Sequence, residues 1–138
     1  MTDPRPDPYQ RLTASCRDHG LSSVYVFGNH AAIAARWLQG RPCDSKLDLS
    51  ELTLAATTEA DVKLSTREKT RLETELEPLF GIDRVRVVML WELDSLSAVD
   101  VIRGELLYCA DSDQQARDEL HVLGRGAERR GQLGHAPT

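Results

Sequence analysis

Gly28, Asn29 and Asp48 have the types and spacing for phosphate chemistry. Gly28-Asn29 closes the apolar run Val24-Tyr25-Val26-Phe27, and Asp48 lies in the alternating segment Lys46-Leu47-Asp48-Leu49. A glycine turn that opens a helix can cradle a phosphate with its backbone N–H groups. A carboxylate on a neighbouring strand can hold the Mg²⁺ that accompanies a nucleotide. The same turn also reads as an ordinary strand-to-helix connection with Asn29 as N-cap. Lys46, two residues before Asp48, puts a cation where a metal site needs a second carboxylate. His30 is the histidine placed to touch a ligand at this turn, or else it caps the helix or faces solvent. Cys16, Cys43 and Cys109 form no CxxC pair and have no histidine at zinc-finger spacing, so they read as reduced thiols, partly buried.

These residues need a scaffold, and the sequence punctuates one. Pro8 suits the first turn of a helix that places Leu12 and Cys16 on one face and ends at Gly20. "SSVYVFG" is β-branched and aromatic and predicts a buried strand. "HAAIAARWLQG" has Ile33, Trp37 and Leu38 at helical spacing, with Trp37 packing the helix on the sheet and Gly40 ending it. In "KLDLSEL", Leu47 and Leu49 face a core while Lys46, Asp48 and Ser50 face the other way. Ser65 and Glu68 form a capping box before the stripe Leu72, Leu76, Leu79, Phe80, which Gly81 stops.

"RVRVVMLWEL" is a near-continuous apolar run and predicts a central strand, with Trp91 exposed just beyond it and Glu92 a solvated strand-end carboxylate. A short helix "SLSAVDVIRG" ending at Gly104, a strand "ELLYCAD" and a last helix from Ser112 complete the order. The expected organisation is a flexible N-terminus over 1–10, one domain over 11–123, and a flexible tail over 124–138 that lacks periodicity. Strands alternating with helices indicate an α/β or α+β domain with a small mixed sheet of about four strands flanked by helices.

Composition narrows the function. The 138 residues carry a net charge of −5, and the pI is near 5.3, so the chain has no basic face suited to general nucleic-acid binding. No apolar run approaches the ~20 residues needed to cross a bilayer. The polar, proline-rich start "MTDPRPDPYQ" is not a signal peptide, and a cytoplasmic location is the expectation.

With the elements in order, the chain resembles the minimal nucleotidyltransferase (MNT) domains of the polymerase-beta superfamily, the kind paired with HEPN proteins in toxin–antitoxin operons. The segments that carry the likeness are "VYVFG" with Gly28-Asn29 at the family's Gly-Ser position, "SKLDLSEL" at its Asp-x-Asp strand, "STREKTRLETELEPLFGIDRVRVVML", and "LDSLSAVDVIRGELLYCAD". Together they span Leu12 to Leu123. The resemblance implies the nucleotidyltransferase fold, and a site in which Asp48 matches the second Asp of the pair, Lys46 the first, and Arg86 the third Asp on a later strand. Asp44 shares the parity of Asp48 and is a candidate replacement ligand, as is Glu51.

Superfamily chemistry uses Mg²⁺ ions that clamp the attacking and leaving oxygens. One carboxylate between a lysine and an arginine is poorly equipped to hold them, because the basic side chains repel divalent cations at short range. The expectation is a catalytically inactive, vestigial site without cofactors. Asp48 then serves in a salt bridge with Lys46 or Arg86, or the group of Gly28, Asn29, Lys46 and Arg86 binds a phosphate or carboxylate. Such a domain acts by binding a HEPN-type protein as its antitoxin, or by binding its own copy. The alternative is an active transferase that adenylylates a protein from ATP and Mg²⁺, using Asp48 with Asp44 or Glu51.

Overall fold

The computed structural model describes residues 8–27, 34–35, 51–59, 62–82 and 84–134, with side chains as far as Ala127. Helix α1 (Pro8–Asp18) leads through Gly20 into β1 (Leu21–Val26). There follow β2 (Leu52–Thr58), α2 (Thr66–Phe80), β3 (Val85–Met89), a 3-10 turn (Leu90–Glu92), α3 (Ser95–Ile102), β4 (Glu105–Cys109) and α4 (Ser112–Gly134). The strands form one four-stranded sheet in the order β3-β2-β1-β4. Strand β1 runs antiparallel to β2 and β4, and β2 runs parallel to β3, so the sheet is mixed as expected.

The local signals act where the sequence places them. The Ser65 side chain accepts the Glu68 N–H at 3.1 Å and starts α2, and Gly81 ends it at φ 69° with its N–H on the Glu77 carbonyl. That left-handed conformation strains any residue with a Cβ. Gly20 takes the same role after α1 at φ 70°.

Both faces of the sheet are covered. Leu12 and Cys16 of α1, with Leu72, Leu76, Leu79 and Phe80 of α2, pack on Val24, Val26, Leu54, Ala56, Val85 and Val87. On the other face, Tyr25 and Ala55 meet Ala98, Val99 and Val101 of α3 and Val122 of α4. A register irregularity between Leu21 and Ser23 brings Leu21 onto the same side as Val24 despite their odd spacing.

The elements depart from the sequence reading in four places. The strand between β1 and β3 is Leu52–Thr58, whereas the reading placed it over "KLDLSEL"; Leu47 to Leu49 lie outside the described residues. The run Leu54-Ala55-Ala56-Thr57 hid this strand, because alanine has little intrinsic β preference and the segment is buried on both faces. Among the described residues β3 lies at the sheet edge, not its centre. Its apolar run reflects one covered face plus Leu90 in the following turn, while all six residues of β1 are buried. The first helix begins at Pro8, where its first turn is expected, and so takes in the last three residues of the segment 1–10 expected to be flexible, while α4 continues past Leu123 to Gly134. Gly126, within the tail expected to be flexible, is a contact. A Cβ there would lie 2.4 Å from Val99 Cγ2, so the absence of a side chain lets α4 pass close over α3.

Candidate functional site

The pairing gathers the ends that matter. Val26, at the end of β1, is opposite Leu54, and the neighbouring Thr53 is paired with Arg86 of β3. Val26 also meets Glu105 at the start of β4. The chain therefore leaves β1 toward Gly28 at the sheet end where Arg86 sits. Gly104 lies against this exit. A Cβ there would stand 2.4 Å from the Val26 carbonyl oxygen and 3.1 Å from Phe27, so only glycine fits. As the sequence implies, the helix stops at Gly104, directly after the C-cap Arg103, and the glycine has the further task of close approach.

Of the expected site residues, Arg86 and the alternative ligand Glu51 fall within the described chain, with Arg86 on β3. Its Nη1 donates to Glu51 Oε1 at 3.4 Å, with the two side chains 56% and 39% exposed. An ion pair this open to water contributes ~0–1 kcal/mol, so it is not a device for stability. Among the described residues, this corner offers a ligand a guanidinium already paired with the Glu51 carboxylate. Those donors do not fit a pair of Mg²⁺ ions, which need several free oxygen ligands. Among the described residues no group of three or more His, Cys, Asp or Glu converges to hold a metal. Gly28, Asn29, His30, Asp44, Lys46 and Asp48 lie outside the described residues.

Elsewhere the side chains have structural work. Trp91 is 41% exposed and meets His121 edge-on at 5.7 Å between ring centres. Glu92 pairs with Lys69 at 3.6 Å. Cys16 and Cys109 are free thiols, and burial pushes Cys16 up to about 12. Two groups went unnoticed in the sequence. Asp94 caps α3 by accepting from the Ser97 N–H and hydroxyl, each at 2.8 Å, and these bonds hold its carboxyl below the ordinary value. Buried Tyr25 donates from its hydroxyl to Glu119 of α4 at 3.3 Å. The Asp-x-x-Ser spacing at Asp94 was a readable signal; the Tyr25–Glu119 contact, 94 residues apart, had none.

A cleft of about 390 Å³ between Tyr9, Thr13, Arg17, Glu59, Tyr108 and Cys109 opens at the other end of the sheet from Arg86.

The sheet order and flanking helices define the class as the nucleotidyltransferase fold, and comparison with solved structures agrees. The chain is similar to one in the crystal structure of a mutant MntA–HepT toxin–antitoxin, at a TM-score of 0.65 and 17% identity over 90% of both chains. It is similar to a chain of a toxin–antitoxin crystallised with AMP-PNP, at 0.62 and 16% over 90% of both. A third similar structure is a tri-AMPylated HEPN toxin with its MNT antitoxin from Shewanella oneidensis, at 0.63 and 14%, covering 91% of this chain and 88% of that one. No family model matches the chain, and no curated protein does.

Proposed function

We propose that this chain is an MNT-type antitoxin that works by binding a HEPN-type protein and transfers no nucleotide. The observation that carries the loss of chemistry is Arg86, a cation paired with Glu51 at the position where the resemblance implies a metal-binding carboxylate. Lys46 replaces a second such carboxylate in the sequence. Nucleotidyl transfer depends on metal ions that neutralise charge on both the attacking and leaving oxygens, and the remaining acid groups are too few to hold them. The partner class rests on the folds this chain is similar to, which occur in toxin–antitoxin complexes.

The test has two arms. A HEPN-type protein encoded beside this chain is co-expressed with it and purified through a tag on one of them; co-elution at fixed stoichiometry is the expected result. The pair is then incubated with labelled ATP and Mg²⁺ or Mn²⁺, and no label is expected on either protein. Label on the partner that disappears in Asp48→Ala overturns the inactive reading. Failure to co-elute overturns the antitoxin reading.

A further inference from the structure

Helix α4 has two apolar faces. One buries Val122 and Gly126 against α3. On the other, Ala116, Leu120, Leu123 and Ala127 are all exposed, Leu120 by 69% and Leu123 by 43%. Their spacing of four, three and four residues is that of the apolar seam of paired helices.

The seam is also its own mirror. Ala-Leu-Leu-Ala reads identically in both directions, so a two-fold axis crossing α4 between His121 and Val122 sets Leu120 on Leu123 of a second copy and Ala116 on Ala127. An isologous interface requires this kind of self-matching. Alanines at the ends let the backbones approach, and the leucines fill the centre. The next seam positions outward are Asp113 and residue 130, an arginine. Antiparallel pairing sets acid on base at both ends, whereas parallel pairing sets Asp on Asp and Arg on Arg.

We infer that the outer face of α4 is a homodimer seam, taken by α4 of a second copy running antiparallel. The inference is independent of the antitoxin reading, whose loss of chemistry is argued from the Arg86 end of the sheet. So short a seam buries well under the ~1,600 Å² of a standard interface, which places the dimer in the weak class.

Sedimentation of the full chain over a concentration series up to about 100 µM, the range of weak association, is the test. A reversible monomer–dimer equilibrium is expected. Leu120→Glu with Leu123→Glu abolishes it while circular dichroism and melting stay those of a folded chain, since both side chains are exposed. Asp113→Arg weakens association about tenfold by setting like charges together, and adding Arg130→Asp restores it. A monomeric wild type, a dimer that survives the leucine changes, or a charge pair that shows no rescue overturns the inference. So does a chain that is monomeric alone and uses this face only in the complex with a co-expressed HEPN-type protein.

Discussion

Arg86 lies on β3 and Glu51 directly precedes β2, and their contact, 35 residues apart in sequence, is worth little to the fold. Because both are substantially exposed, Arg86→Asp is expected to change stability by less than about 1 kcal/mol in urea unfolding, despite placing two acids together. A larger loss shows that the pair anchors β3. Asp94 makes a sharper prediction at this scale. The Ser97 bonds lower its carboxyl from the ordinary 3.8. A depressed folded value means the charged cap stabilises above the unfolded pKa and loses that contribution as pH falls through the folded one. Asp94→Asn keeps a cap oxygen without the charge. The wild-type advantage in melting temperature should therefore hold steady above about pH 5 and shrink below it; a gap independent of pH rejects the account. Thiol reactivity follows from burial in the same way. With Cys16 pushed up to about 12 and sealed in the core, iodoacetamide at pH 8 should modify partly exposed Cys109 first and Cys16 only on unfolding, as peptide mass spectrometry will show.

Glycine marks how far single elements were legible. Gly20 and Gly81 sit at left-handed ends where punctuation is their task, and the sequence reading of both was right. Gly104 and Gly126 look alike in sequence but serve packing, and that depends on which element lies opposite. Local pattern cannot supply the neighbour, which is why the reading stopped α4 at Leu123. The two kinds of glycine are separable within this one helix. Gly124 has open space where a methyl would stand, so Gly124→Ala should stabilise by about 0.5–1 kcal/mol through helix propensity alone. Gly126→Ala gains the same propensity but drives a methyl to 2.4 Å from buried, stiff Val99, and should destabilise by about 1–3 kcal/mol net of it. Equal signs for the two, measured by denaturant unfolding, reject the close helix crossing. Neighbours decide β2 as well: alanines that any element accepts became a strand because β1 and β3 lie on either side of it.

For the whole molecule, the alternation of strands and helices was enough to reach the α/β class and a four-stranded sheet, since punctuation and apolar period agree along the chain, and the resemblance supplied the particular fold. The candidate site can be read only through the resemblance, as Lys46 and Arg86 at positions where it implies acids, because the sequence says which charges are present but not which ones meet. Glu51 shows the gap: in sequence it is a candidate metal ligand, and in the structure it pairs with Arg86. The charge balance itself is testable. An overall charge of −5 opposes anion binding at long range, while the positive charges of Lys46 and Arg86, at the positions the resemblance implies, favour it locally. Wild type is therefore expected to bind tripolyphosphate weakly, with no dependence on EDTA, and to take up no Mg²⁺. Lys46→Asp with Arg86→Asp removes both cations, frees Glu51 and supplies two carboxylates in addition to Asp48. If the backbone keeps the arrangement that the resemblance implies, this variant should reverse the preference and bind Mg²⁺ or Mn²⁺ in calorimetry while losing tripolyphosphate. The exposed setting of Arg86 makes that half of the exchange tolerable to the fold. Wild type that binds Mg²⁺ as well as the double variant does would remove charge substitution as the ground for the proposed inactivity.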